Sequence, residues 1–236
     1  MAYSWNGIKR GFFRAQPMAV GVFAYGVAFG LLAQEARLSL AEAMTMSALI
    51  YSGTAQLATV SALGASASTA TLAIALAVLL LNARYLLYSA AFRPWLGTLP
   101  AYQTYPMLFF MGDGSWVLSM QAYAKGERDG GFPFGASIAM FFPWLLGTLA
   151  GVVAAGLVAN PALLGLDFML VAFSAAMGLS MFKLQRSWSG VIAAAATALL
   201  VDRFAPGGWT IVAAGLVGGL VAYVRFKPPA PTATAP

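Results

Sequence analysis

The chain has 236 residues, of which 61% are hydrophobic and only 8% charged, with a formal net charge of +6. A soluble domain carries about 25% charged residues, so this composition excludes a water-covered globule and implies an integral membrane protein built as one bundle. Neither cysteine nor histidine is present, which excludes disulfides, thiol chemistry, most zinc sites and every Ser/His or Cys/His catalytic pair.

A helix needs about 20 apolar residues to cross the hydrocarbon core. Eight runs are candidates: residues 17–34, 43–62, 69–91, 106–124, 133–156, 163–182, 188–203 and 208–224, the seventh being short. The expected fold is therefore all-α, a bundle of about eight transmembrane helices. Turn signals separate the runs: Ser39 with Glu42, Gly64–Ser68, Pro94 to Pro106, Lys125–Gly131, Asn160-Pro161, Lys183–Arg186 and Pro206-Gly207-Gly208. Three segments result: a basic cytoplasmic start at 1–16, a transmembrane bundle at 17–225 and a disordered cytoplasmic tail at 226–236. The first run follows Lys9, Arg10 and Arg14 but is too long for a signal peptide's apolar core and lacks a clear cleavage site, so it reads as a true helix.

Charge sets the expected orientation. With a cytoplasmic N-terminus and eight crossings, Lys9, Arg10, Arg14, Lys125, Arg128, Lys183, Arg186, Arg225 and Lys227 fall inside, while Arg37, Arg93 and Arg203 fall outside. This positive-inside bias places both termini in the cytoplasm and the segment near Tyr102 outside. Three GxxxG pairs, Gly26/Gly30, Gly147/Gly151 and Gly215/Gly219, predict close helix packing, because small residues let backbones approach in lipid.

Polar residues inside apolar runs carry the chemistry. The second run holds Ser47, Tyr51, Ser52, Gly53, Thr54, Gln56 and Thr59. Ser52, Gln56 and Thr59 fall within about 60° of one helix face, and Ser47, Tyr51 and Thr54 form a second stripe. Such a helix is buried in protein or lines a cavity, although a Ser or Thr hydroxyl can also bond back to its own helix. In the third run Asn82, Tyr85 and Ser89 share one face and Arg84 and Tyr88 another. The fourth run holds Asp113 and Ser115 in Gly112-Asp113-Gly114-Ser115. An unpaired charge at mid-membrane costs about 2.5–3.5 kcal/mol even on the mildest scale, and the glycines on either side loosen the helix. Arg84 and Asp113 lie at similar depth in their runs and are expected to pair if their helices touch. Arg84 alone would read as snorkelling to the interface. The other acids lie in loops or at run ends, so Asp113 is the one deep acid.

The order Tyr25-Gly26-Val27-Ala28-Phe29-Gly30, Tyr51-Ser52-Gly53-Thr54-Ala55-Gln56, Asn82-Ala83-Arg84-Tyr85-Leu86-Leu87-Tyr88, intramembrane Asp113 and Trp144-Leu145-Leu146-Gly147-Thr148 resembles the AzlC-type proteins, large subunits of two-component branched-chain amino acid exporters. The likeness spans residues 6–225. It implies ion-driven export of hydrophobic amino acids across the cytoplasmic membrane with a small four-helix AzlD-type partner and no cofactor or metal. The chain departs from the family in having Ala24-Tyr25-Gly26 for Pro-Phe-Gly, Tyr85 where histidine is common, and Gly114 where a second acid often stands. The last two remove titratable groups from the presumed pathway.

The expected substrate and ion pathway is Ser52, Gly53, Thr54, Gln56, Asn82, Arg84, Tyr85, Asp113 and Ser115. An intramembrane aspartyl protease is disfavoured, because Phe110 precedes Met111-Gly112-Asp113 where a glycine is needed and no second mid-helix aspartate exists. ATP hydrolysis lacks a Walker A pattern, and no ring of like charges marks a channel filter. The alternative to a carrier is a non-transporting assembly or regulatory subunit whose polar residues hold helices together.

Overall fold

The computed structural model describes residues 3–62, 78–79, 81–155, 188–204 and 208–225, and every element among them is a helix. They fall into two compact units, residues 1–184 and 185–236. The expected sixth run, the Gly64–Ser68 and Asn160-Pro161 turns and the 226–236 tail lie outside the described residues.

The first unit is organised on two long helices, α1 (Trp5–Glu35) and α7 (Gly131–Ala154). Both are long and apolar enough to cross a membrane, with mean hydropathy of 1.5 and 1.8 over their most apolar windows. The segment expected as a separate basic start is instead the opening of α1. Ser4 caps it by accepting from the Gly7 amide at 3.0 Å, and the helix runs through Pro17. At 1.5 Å per residue its 31 residues span about 46 Å, more than the hydrocarbon core needs.

A stripe of Gly7, Gly11, Ala15, Ala19, Gly26 and Gly30 is buried on α1. A Cβ on Gly26 would overlap the Trp144 carbonyl, one on Gly30 that of Thr148, one on Gly147 that of Phe23 and one on Gly151 that of Val27. Gly135 meets Ile8 in the same way at the opening of both helices. The helices therefore run parallel, with their two predicted GxxxG pairs face to face. Gly7/Gly11 and Gly131/Gly135 extend the contact beyond what the sequence reading singled out.

Polar residues fix the shared starting end. Asp129 accepts from the Ser4 amide (3.0 Å), the Ser4 hydroxyl and the Gly131 amide (2.9 Å). Arg10 pairs with Glu127 at 3.0 Å and approaches Asp129 at 3.7 Å. Burial pushes both carboxyls up. These hydrogen bonds and the Arg10 charge outweigh that and hold Glu127 and Asp129 below their ordinary ranges.

The second and fourth expected runs are not continuous helices. After a Ser39/Glu42 capping box, α2 (Leu40–Leu49) ends at a break where Tyr51 adopts a left-handed φ of +40°. The following α3 (Gly53–Ala62) turns back. Gln56, one turn into α3, donates to Ser47 in the last turn of α2 at 3.0 Å. A straight helix would separate positions nine apart by about 13 Å along its axis. The fourth run divides at residues 110–112 into α5 (Ala101–Phe109) and α6 (Asp113–Ala124).

Between these hairpins lies α4 (Arg84–Leu96), which continues past the expected end at 91 through Pro94. It runs alongside α6 in the same direction: Tyr88 stacks on Trp116 with ring centroids 4.4 Å apart, and Trp95 on Tyr123 at 5.1 Å. The turn after α4 reaches the clamped end, where a Cβ on Gly130 would meet Leu99 at 2.5 Å and Tyr3 at 3.5 Å. Hence α5 enters from the end that holds the N-terminus and α6 returns to it. The expected crossing at 106–124, with Tyr102 on the opposite side, is corrected by this geometry. Apolar content is the same whether a chain crosses or doubles back, so the sequence could not distinguish the two.

In the second unit α8 (Trp188–Phe204) and α9 (Gly208–Val224) match the expected seventh and eighth runs within a residue. They pack through Gly190 and Gly218, each within about 3 Å of the other's carbonyl if given a Cβ. Gly215 and Gly219, expected to form a packing pair, have open space beside them among the described residues.

Candidate functional site

The site forms where three helices begin. Gly53 opens α3, Arg84 opens α4 and Asp113 opens α6. The first amides of a helix have no carbonyl partner within it, so the starts of α3 and α6, each following a break, bring backbone donors and positive partial charge to one region. By contrast, helical residues 78–79 and 81–82 precede Arg84, and the Ala83 amide donates to the Leu79 carbonyl. Asp113, in the first turn of α6, suits that field. Arg84 at the start of α4 does not, and it is held by side chains instead.

Arg84 Nη1 lies 3.1 Å from Asp113 Oδ2, so the expected pair forms. Arg84 Nη2 donates to Ser52 Oγ and Thr54 Oγ1, each at 3.2 Å. The Tyr88 hydroxyl donates to Asp113 Oδ1 at 3.1 Å. Arg84 and Tyr88 are one turn apart on α4 and serve the same carboxylate, as their shared face predicted. The Tyr85 hydroxyl donates to the Tyr51 carbonyl, released by the α2–α3 break, at 3.3 Å. The guanidinium also sits over the Tyr85 ring, 5.4 Å from its centroid. Both charged side chains remain about one quarter exposed (27% for Arg84, 25% for Asp113), so the pair faces space rather than a sealed core.

That space is a cavity of about 50 Å³ beside Asp113, walled by Val22, Tyr25, Tyr51, Tyr85, Met140 and Trp144, with Ser52, Gly53, Gly112 and Gly114 at its polar edge. It has room for a few waters. Each break carries a glycine because an aromatic ring lies against it: a Cβ on Gly53 would meet the Tyr25 ring at 2.8 Å, and one on Gly112 the Tyr51 ring at 3.0 Å. Tyr51 packs edge-on against Phe141 at 4.9 Å, and Tyr25 against Trp144 at 5.2 Å. The two hairpin tips thus touch through Tyr51 and Gly112.

The remaining expected residues divide. Ser115 ties the second break, accepting from the Gly112 amide at 3.0 Å and donating to the Gly112 carbonyl at 2.9 Å, while Ser137 donates to it at 3.2 Å. Gln56 is fully buried one turn away in a chain to Ser47 and Thr148 (Ser47–Thr148 2.9 Å), and its Oε1 has no hydrogen-bond partner. It braces α2, α3 and α7 rather than lining the cavity. Asn82 precedes α4 with a buried, unpartnered oxygen and does not join the cluster. Thr59 bonds back to Ala55 and Ser89 to Tyr85, as helix hydroxyls commonly do.

Sequence reasoning left out of the site Tyr88, Tyr51 and the wall of Val22, Tyr25, Met140 and Trp144. The spacing of Arg84 and Tyr88 was a usable signal. The wall residues carried none, because apolar and aromatic side chains are ordinary in an apolar run.

Among known proteins, no curated protein and no solved structure matches the chain significantly. The protein family described as AzlC protein matches residues 17–158, more than half of the chain and all of the α1–α7 scaffold except its outermost turns at the start of α1. The chain with its parallel α1–α7 pair and its two broken hairpins belongs to the AzlC family.

Proposed function

We propose that this chain is the large subunit of a secondary transporter that exports hydrophobic, branched-chain amino acids across the cytoplasmic membrane with a small four-helix AzlD-type partner. The observation that carries the reading is the Arg84–Asp113 pair at the meeting point of two broken hairpins that approach from opposite ends of α1. Broken helices that converge on a charged site near mid-membrane are what carriers use to bind a substrate and expose it alternately to each side.

The chemistry of the site suits an amino acid. An amino acid's carboxylate can take Arg84 and the starts of α3 and α6, and its ammonium can take the Tyr51 carbonyl freed by the α2–α3 break, which leaves Asp113 to the driving ion. The wall of Val22, Tyr25, Met140 and Trp144 offers an apolar seat for the side chain. The cavity reaches the Tyr51–Gly112 contact, so parting the hairpin tips there would widen it for a branched side chain. Parting them exposes the site to one side at a time, which alternating access requires. Asp113 is the group placed to sense the driving ion, a proton or, with Ser115 and freed carbonyls, sodium.

Orientation follows from charge. The clamped end gathers Arg10, Lys125 and Arg128 with the turn after Arg93, and the positive-inside rule assigns it to the cytoplasm. The test is flux of labelled leucine in vesicles containing the chain and its partner. Saturable, gradient-dependent movement is expected; absence of flux with both subunits folded in the bilayer favours the assembly-subunit reading.

A further inference from the structure

We propose that a groove at the clamped end of the first unit binds the headgroup of an anionic phospholipid. The groove, of about 680 Å³, lies between α1 and the α6–α7 turn and is lined by Arg10, Phe13, Arg14, Lys125, Glu127 and Phe132 among others. Three cations face one carboxylate. Arg10 is committed to Glu127 and Asp129, whereas Arg14 and Lys125 have no ion-pair partner among the described residues.

The surroundings keep these two cations available. Lys125 caps the end of α6, whose carbonyls would repel an anion. Those carbonyls are already occupied: Arg128 donates to the Tyr123 carbonyl at 2.7 Å, and turn amides close on Ala122 and Tyr123 at 3.0 Å. The Arg10–Glu127–Asp129 cluster takes up the nearby negative charge and leaves a net positive mouth.

A lipid fits better than a free anion because the groove is amphipathic. Phe13 is 69% exposed beside Arg14, and Trp5 is 66% exposed about two turns earlier on the same helix, with Lys9 over its ring at 5.7 Å. Exposed aromatics beside cations at a helix opening belong at the headgroup level, and basic pockets between helices on the cytoplasmic side hold anionic headgroups. A headgroup phosphate on Arg14 and Lys125 would leave its acyl chains along Phe13 and the outer face of α1. The bound lipid would tie α1 to the returning arm of the second hairpin.

The test is native mass spectrometry and thermal unfolding of the full chain, purified in detergent with any copurifying small subunit. Phosphatidylglycerol is compared with phosphatidylcholine of the same acyl chains. The expected result is selective retention of one phosphatidylglycerol and a higher unfolding midpoint with it. Arg14→Gln with Lys125→Gln should weaken that retention about thirtyfold, the attraction of two surface cations. Arg93→Gln, at the same end but outside the groove, should retain it. Equal retention of both lipids, or unchanged retention in the double variant, overturns the proposal. So does saturation of the effect by soluble glycerol phosphate, which would make the groove a free-anion site. Loss of a copurified subunit with lipid retention intact overturns it in favour of a protein interface.

Discussion

Arg84 and Asp113 are each tolerable because of the other. Two charges taken from water lose hydration, and a 3.1 Å pair with additional donors from Tyr88 and acceptors from Ser52 and Thr54 offsets that loss. Arg84→Ala and Asp113→Ala should each destabilise the protein by about 2 kcal/mol, below the 3–5 of a fully buried pair because both side chains are partly exposed. Each should also abolish transport. The double variant should recover part of the stability, since no charge is then left unpaired. Strict additivity in a thermal-unfolding cycle would show that the residues act separately. These charges were legible in the sequence because a charge in an apolar run is conspicuous. Gln56 was equally conspicuous and was assigned to the pathway, yet it braces three helices. Polarity shows that a residue needs partners, not whether those partners are protein or substrate.

Close backbone approach holds the scaffold at the level of elements. Gly147→Val would drive a branched side chain into the Phe23 carbonyl and should cost about 3 kcal/mol, at the upper end of ordinary overpacking because backbone must move. Gly219→Ala, beside open space, should be neutral or stabilising by up to about 1 kcal/mol from helix propensity. Equal effects on unfolding would refute the parallel α1–α7 contact as the main seam. The clamp at its start is an acid-sensitive element. Glu127 and Asp129 titrate below their unfolded ranges, so the unfolded chain binds more protons near pH 4. Their contribution is complete above that range and is lost as pH falls through the depressed folded values. Asp129→Asn should lower stability by about 1–3 kcal/mol at neutral pH and flatten its decline below about pH 4. An unchanged acid limb in a pH series of unfolding midpoints would contradict this. Helix starts were readable from caps such as Ser39/Glu42. The break at Tyr51 was not, because a tyrosine in a left-handed conformation has no compositional mark, whereas glycine on both sides of Asp113 announced the second break.

Direction of travel matters most at the scale of the molecule. The return of α5–α6 to the end from which it came, together with the turn-back of α3, changes the count of crossings while the charge bias still favours a cytoplasmic N-terminus. Reporter fusions within residues 97–100 and after Lys125 should both read cytoplasmic, and one at 36–38 should read external. An external reading at 97–100 would restore the straight eight-crossing arrangement. Sequence alone supplied the apolar segments and the family likeness but not these reversals, since hydropathy records depth in lipid and not heading.

The carrier reading rests on Asp113 being able to change its interactions as the hairpin tips part, which is what lets an ion gradient bias one exposed state over the other. The direct measurement is Asp113→Asn in vesicles with the partner present. Asparagine keeps the size and one acceptor oxygen, replaces the other with an NH2 donor, and removes the charge. Exchange of labelled leucine across the vesicle should survive while gradient-driven accumulation is lost. A variant that still concentrates leucine like the unaltered protein would show that Asp113 is not the coupling group and contradict the account.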